Sequence, residues 1–353
     1  MLRLGSLVLL AVLAGAARPA AACTTFLLER EKEIVVGKSY DWSLAHGLVM
    51  VNRRGVAKQA LTLSQGERPA RWLAKYGSLT FNQYGRELPN GGMNEAGLVV
   101  EVMWLDSSVT PPADDRATVS ELQLIQYLLD TAATTAEAVC QAQAVRVSRV
   151  YARVHYLACD RTGACAALEH VGGRLVVSSG AGLPVRALTN DTYADSRAFL
   201  ARHAGFGGAQ PLPAGRGSLE RFARAAAAVS RPVPDRDLVG AAFGVLDRVR
   251  MGDYTKWQIV YEPRRLRVHF RTRDRATIKT VELRPLLAAC PRPVPILELD
   301  TPAAGDATKR FRDYTTAANQ SIVERGLATL KGKVPPGALE QLARYPEMLP
   351  CPK

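Results

Sequence analysis

The chain has 353 residues, 47% of them apolar, and a formal net charge of +13. That apolar content is ample for a large core, in one big domain or two ordinary ones, and it excludes a disordered or collagen-like chain. Arginines are spread along the whole sequence without a Lys/Arg run, so the basic balance argues for no nucleic-acid partner.

The first 22 residues read as a secretory signal. Met1-Leu2-Arg3 gives a positive start, an apolar stretch runs from Leu7 to Ala14, and Ala20-Ala21-Ala22 supplies the small residues a signal peptidase accepts. The stretch is too short to span a bilayer, and no later segment approaches a span. The expectation is a soluble periplasmic or secreted protein, with residues 23–353 as a single domain and a C-terminal tail from about residue 291. Removing the two signal arginines leaves +11 on the remainder.

After Cys23 the pattern is strand-like. Thr24–Leu28 and Glu33–Gly37 form a plausible hairpin, and Leu48–Val51 is a third strand. Gly97–Trp104 is a near-continuous apolar run, the mark of a strand buried on both faces. Thr118-Val119-Ser120-Glu121 has the form of a capping box ahead of Leu122, Ile125, Leu128 and Leu129 at helical spacing. Thr134-Thr135-Ala136-Glu137 repeats that signal.

Strands return at Val154–Leu157, Ala164–Leu168 and Arg174–Ser178. A helix follows at Tyr193–Ala204, then a Gly/Pro-rich loop at 205–217 and a helix from Ser218. Late strands are expected at Lys256–Tyr261 and Leu266–Phe270, and a tail helix near Lys309–Leu330. This order lacks regular strand–helix alternation and points to antiparallel sheets with helices packed outside.

The cysteines are Cys23, Cys140, Cys159, Cys165, Cys290 and Cys351, in a compartment that permits disulfides. If Cys23 stays free, at least one of the other five is unpaired. Cys290 with Cys351 is the first expected bridge, because it ties down the tail. Cys159 and Cys165 flank a turn; a tight two-residue turn would put them on opposite faces, so bridging needs a wider loop. The sequence has no C-x-x-C pair and no ligand spacing among its five histidines, which argues against a metal.

Cys23, directly after Ala-Ala-Ala, admits three readings. Exposed by cleavage, it would be a nucleophile beside its own α-amino group, a base with a pKa near ~7.7–8.0. As a lipoprotein anchor its amine would be acylated, although Ala20 stands where such sites prefer a bulky aliphatic residue. As an ordinary cysteine it would be buried or disulfide-bonded.

The downstream segments resemble the choloylglycine hydrolase family, which includes penicillin V acylases and bile salt hydrolases. The carrying pieces are Cys23-Thr24-Thr25-Phe26, Gly37-Lys38-Ser39-Tyr40-Asp41-Trp42-Ser43, Gly92-Met93-Asn94-Glu95-Ala96-Gly97-Leu98, Leu188-Thr189-Asn190 and Glu220-Arg221-Phe222, in the family's order and at similar spacings. The resemblance implies a four-layer αββα N-terminal nucleophile hydrolase fold, an α+β architecture with two stacked antiparallel sheets. It also implies hydrolysis of a linear amide in a small-molecule N-acyl amide substrate, without metal or organic cofactor, in a homo-oligomer, dimer or tetramer.

Residue by residue, it implies that Cys23 is the nucleophile, Asp41 holds the α-amino group, Asn190 donates to the oxyanion and Arg221 belongs to the active site. Lys38 stands where the family usually has Arg beside the sulfur; either cation favours thiolate, but Lys lacks the bidentate fork. Trp104 matches a position donating its backbone N–H to the oxyanion, and its indole would form part of the acyl pocket, with Trp42 a second wall. Asn94, Glu95 and Gly97 resemble a turn between strands.

Without the resemblance, each residue has a plainer account. Asp41 reads as a turn aspartate, Asn190 as a helix cap, and either Trp as core. Arg221 and Arg224 lie opposite the stripe of Leu219, Phe222, Ala226 and Val229, on what would be a solvated face.

Overall fold

A computed structural model describes residues 23–61, 66–233, 237–330 and 337–352. The expected signal segment, 1–22, lies outside the described residues.

Two sheets carry the architecture. The first has seven strands in the order Ala187–Leu188, Thr24–Arg30, Glu33–Asp41, Thr255–Glu262, Arg267–Thr272, Lys279–Glu282 and Gly305–Asp306. All its pairs are antiparallel except the last. The second has nine antiparallel strands, in the order Arg174–Ser179, Cys165–Val171, Val154–Cys159, Val99–Trp104, Pro89–Asn94, Ser78–Asn82, Leu48–Asn52, Pro295–Glu298 and Arg312–Asp313.

Alternation along Val99–Trp104 explains how the sheets stack. Val99 and Met103 join the apolar cluster shared with the first sheet, while Val100 and Val102 join the cluster beneath the Gln123–Thr131 and Thr135–Ala144 helices. Both faces are buried, as the continuous apolar run predicts. Tyr193–Leu200, Ser218–Val229 and Leu238–Arg248 cover the other face of the first sheet. The result is the four-layer αββα arrangement, with two sheets between helices.

Several local expectations change. The Thr118–Glu121 capping box is absent: Ala117–Ser120 is a strand paired in parallel with Val145–Ser148. The Glu121 carboxylate instead accepts from the N–H groups of Val150, Tyr151 and Ala152. Tertiary acceptor demand there outweighs the local cap. Thr134 does cap its helix, accepting from Glu137 N–H.

The Glu33 strand runs on to Asp41 because the Thr255–Glu262 strand pairs along it. The tail helix begins only at Thr316, capped by Thr315, and the Tyr193 helix stops at Leu200.

Cys290 and Cys351 are bridged as expected. Cys159 and Cys165 are also bridged, since residues 160–164 form a loop wide enough to set them directly opposite each other. Cys140 is free and exposed. Among the described residues, no helix is long and apolar enough to cross a membrane, and no cluster of metal-binding side chains occurs.

The hairpin that carries Cys23 and Lys38 is tightly packed. A Cβ added at Gly37 would lie 2.4 Å from the buried Phe26 ring. Gly37→Ala is therefore expected to cost about 1–3 kcal/mol through overpacking. The loss should appear as a lower urea midpoint at unchanged slope; an unshifted midpoint would mean that the ring yields freely.

Candidate active site

Cys23 sits buried just before the Thr24–Arg30 strand, and its main-chain nitrogen donates to Asn190 Oδ1 at 2.8 Å. Asn190 follows the short Ala187–Leu188 strand that pairs with Thr25 and Phe26, so sheet pairing sets this contact. Asn190 is not a helix cap; Thr192 caps the next helix, accepting from Asp195 N–H. The Asn190 Nδ2 donates to Trp104 O at 2.9 Å. An amide carries two such hydrogens, which leaves the second for another acceptor.

Arg221 departs most from its expected surroundings. The face of its helix that reads as solvated is covered at Arg221, which is 1% exposed, while Arg224 on the same face is half-buried. Its guanidinium donates to Cys23 O at 2.7 Å, Thr24 Oγ1 at 2.6 Å and Asn190 Oδ1 at 2.7 Å, and lies 4.0 Å from Asp41 Oδ2. Helical periodicity finds the apolar stripe but not an opposite face covered by a strand end.

Asp41 is fully buried at the end of its strand rather than in a turn. Its Oδ1 accepts from Ser39 Oγ at 2.7 Å and Thr255 Oγ1 at 2.5 Å. Its Oδ2 has no hydrogen-bond partner among the described residues. Burial raises the Asp41 carboxyl to about 6, against the pull of Arg221 and the two hydroxyls. Burial likewise raises the Cys23 thiol; Lys38, Arg221 and the Asp41 N–H oppose this, while the Asp41 charge reinforces it.

Lys38 is 1% exposed and reaches toward the second sheet. Its ammonium donates to Val102 O and lies 3.5 Å from both Met103 Sδ and Glu101 Oε2. Glu101, hidden within the apolar run, is a site residue that sequence reasoning passes over. It accepts from Tyr261 Oη at 2.5 Å, and burial raises its carboxyl to about 7. The one sequence signal for it is Gly91 on the neighbouring strand, where a Cβ would strike the Glu101 carboxylate at 2.3 Å.

His155 and Glu169 were also missed. The His155 ring bridges Glu169 Oε1 at 2.9 Å and Thr189 O at 2.8 Å, and Glu169 accepts from Tyr193 N–H. They clamp the two sides of Asn190.

Trp42 and Trp104 pack with ring centres 5.8 Å apart, and the Trp104 indole donates to Asp106 Oδ1 at 2.7 Å. Both line, with Cys23, a cavity of about 550 Å³ whose other walls include Leu88, Val102 and Leu122. The Trp104–Val154 pair lies next to the hydrogen bond from Leu105 N–H to Arg153 O, so antiparallel alternation turns the Trp104 main chain away from that neighbour. Of the seven residues singled out in the sequence, Cys23, Trp42 and Trp104 line this cavity; Asn190 and Arg221 are hydrogen-bonded to the main chain of Cys23, Asp41 lies beside Arg221, and Lys38 reaches Val102 O of the cavity wall.

Two stacked antiparallel sheets between helices, with a buried cysteine at the head of a strand of the first sheet, define an N-terminal nucleophile hydrolase fold. Residues 23–243 match the linear amide C–N hydrolases of the choloylglycine hydrolase family, and the chain belongs to that family.

A penicillin V acylase of Pectobacterium atrosepticum is 29% identical over 194 residues, 50% of this chain and 51% of that protein. The chain thus spans about half the length of that curated relative. The structure of penicillin V acylase from Agrobacterium tumefaciens superposes with a TM-score of 0.72 at 25% identity, covering 83% of this chain and 98% of that one. A variant of conjugated bile acid hydrolase from Clostridium perfringens shares the fold, with a TM-score of 0.62 at 16% identity over 74% of this chain and 93% of that one.

Arg221→Met leaves the Cys23 carbonyl and the Asp41 carboxylate without their buried partner, at an expected cost of about 3–5 kcal/mol; thermal unfolding within a degree of the parent would contradict it. Asp41 has a folded pKa above its unfolded value, so its stabilising contribution is complete below about 4 and is lost as pH rises through about 6. Relative to the parent, Asp41→Asn should therefore gain about 2–3 kcal/mol between pH 4 and pH 7. Urea unfolding of both proteins at the two pH values reads this difference, and parallel pH curves would exclude it.

Proposed function

We propose that this protein is an exported amidase whose mature chain begins at Cys23, with the thiol as nucleophile and the Cys23 α-amine as base. The observation that carries the reading is the fully buried Asp41 Oδ2 near Cys23, which accepts no hydrogen bond and has the Arg221 guanidinium no nearer than 4.0 Å. A buried carboxylate oxygen without a donor costs about 1–3 kcal/mol or more. A free α-amino group, unlike an amide N–H, has hydrogens for both Asn190 Oδ1 and Asp41. The family match begins at the same residue, which supports this start.

In this reading the thiol enters the reaction neutral, because burial disfavours the thiolate. As sulfur adds to the amide carbonyl, the α-amine takes the thiol proton. The second Asn190 Nδ2 hydrogen and the Trp104 N–H stabilise the oxyanion. The C–N bond then breaks, and the ammonium gives its proton to the departing amine. Water, deprotonated by the same amine, adds to the thioester and releases the carboxylic acid and the thiol. Asp41 and Arg221 orient the base and the Cys23 main chain, and Lys38 tempers the rise in the thiol pKa.

Penicillin V, conjugated bile salts and N-acyl homoserine lactones all belong to the implied class of linear amides. Apolar walls and the Trp42–Trp104 pair favour an apolar or aromatic acyl part. Export by the 1–22 segment and assembly into a homo-oligomer complete the proposal.

Intact mass of the exported protein should correspond to a chain starting at Cys23 with an unmodified amine. Extra residues ahead of the sulfur, or a diacylglyceryl group on it, would overturn the mechanism, the latter in favour of a lipid-anchored binding protein. Across a panel of those amides, Cys23→Ser should lose at least about a hundredfold in kcat/KM on whichever is turned over; equal turnover would remove Cys23 from the chemistry.

A further inference from the structure

The match to the family covers residues 23–243, yet much of the cavity around Cys23 is built from residues beyond it. Leu327, Leu339, Leu342, Tyr345 and Met348 all line the same cavity as Cys23, Trp42 and Trp104. They belong to the Thr316–Gly326 helix, the Ala338–Arg344 helix and their flanks.

This segment is fastened to the rest of the fold at several points. Buried Asn319 accepts from Arg86 N–H and donates to Ala343 O, both at 2.7 Å, which joins the two tail helices to the 83–88 loop. Ile322 packs with Leu48, Met50 and Ile296 of the second sheet. Tyr345 Oη donates to Gln59 O, and Ala57 N–H donates to Pro350 O at 2.9 Å. The Cys290–Cys351 disulfide secures the end.

We infer that this C-terminal segment is the specificity wall of the enzyme, and that it limits the length of the apolar acyl chain that fits beside Cys23. The inference rests on the reading of Cys23 as an amide-cleaving nucleophile. Three features combine to support it. The cavity, at about 550 Å³, falls within the ~300–1,000 Å³ of pockets that enclose a whole drug-sized ligand, far more than a scissile amide alone requires. The side chains that the tail contributes include three leucines and a methionine, which recognise hydrocarbon by area and not by direction. A wall held by buried hydrogen bonds and a disulfide does not retreat before a longer ligand, so it sets an upper limit. Leu339 and Leu342 occupy successive turns on the cavity side of one helix and are the residues that set this limit.

The test is a series of N-acyl p-nitroanilides from butanoyl to hexadecanoyl, with release of nitroaniline as the readout. For the parent, kcat/KM should rise by up to about fourfold per methylene until the cavity is full and then fall. Leu342→Trp should move the maximum of the kcat/KM profile to shorter chains. Should that variant fold poorly, as judged by circular dichroism, Leu339→Phe makes the same displacement with a smaller side chain. The paired change Cys290→Ser with Cys351→Ser frees the tail and should broaden the profile toward long chains.

A parent profile flat in chain length, or a maximum that neither leucine variant moves, overturns the inference even though amides are cleaved. If no acyl anilide is hydrolysed by the parent or by any variant, the amidase reading itself fails. The wall is then judged separately, by competition of decanoate and butanoate for the cavity in Cys23→Ala, with intrinsic tryptophan fluorescence as the signal. Equal binding of the two acids there would also end the inference.

Discussion

The Arg221 guanidinium is the interaction on which the site depends. A cation with 1% exposure needs a fixed partner for nearly every N–H, and Cys23 O, Thr24 Oγ1 and Asn190 Oδ1 supply three of them. These acceptors come from the start of one strand and from the loop beyond another. One planar group thus fixes the distance between the sulfur-bearing residue and the amide that faces it. Lysine at this position would be a point charge without a fork, unable to hold all three at once. The buried Asp41 charge offsets the cost of burying Arg221, and Arg221 in turn restrains the upward drift of the Asp41 carboxyl.

The site also depends on the stacking of the two sheets. Cys23, Lys38 and Asp41 come from the first sheet; Glu101, Met103 and Trp104 come from the second. Lys38 reaches across, with its ammonium near Glu101, Val102 O and Met103 Sδ. A polar contact made across an apolar interface has strict geometry, since neither partner has water as an alternative. Sliding one sheet past the other would therefore strand a charge as well as disturb packing. The buried pair thus fixes the register of the sheets, with Tyr261 and the bare Gly91 holding the carboxylate in place.

Much of this was legible in the sequence where the signal was periodic or was punctuated by turns. The doubly buried strand at 97–104, the hairpin after Cys23 and the Thr134 cap follow from side-chain alternation and from local hydrogen bonding. The Thr118–Glu121 signal misled because the Glu121 carboxylate found three N–H donors some thirty residues away, a contact that no local window contains. Glu101, His155 and Glu169 were hidden for a related reason. A buried charge inside an apolar strand looks like an interruption until its partner, distant in sequence, is set opposite it. Arg221 was found by its place in a motif and not by its helix, whose amphipathic pattern pointed toward solvent.

The electrostatics of the site favour a neutral thiol over a standing thiolate. Burial acts first on Cys23, and the two cations that oppose it are largely committed elsewhere, Lys38 toward Glu101 and Arg221 toward Asp41. A cysteine kept neutral in this way is protected from metal capture and oxidation, both of which require thiolate. It also requires that the proton leave at the moment of attack, to a base within reach of the sulfur. No histidine lines the cavity beside Cys23; His155 and His269 are engaged in carboxylate contacts and His203 with Phe199 O. In the proposed reading that base is the nitrogen of Cys23 itself, whose main-chain position is set by its hydrogen bond to Asn190 Oδ1.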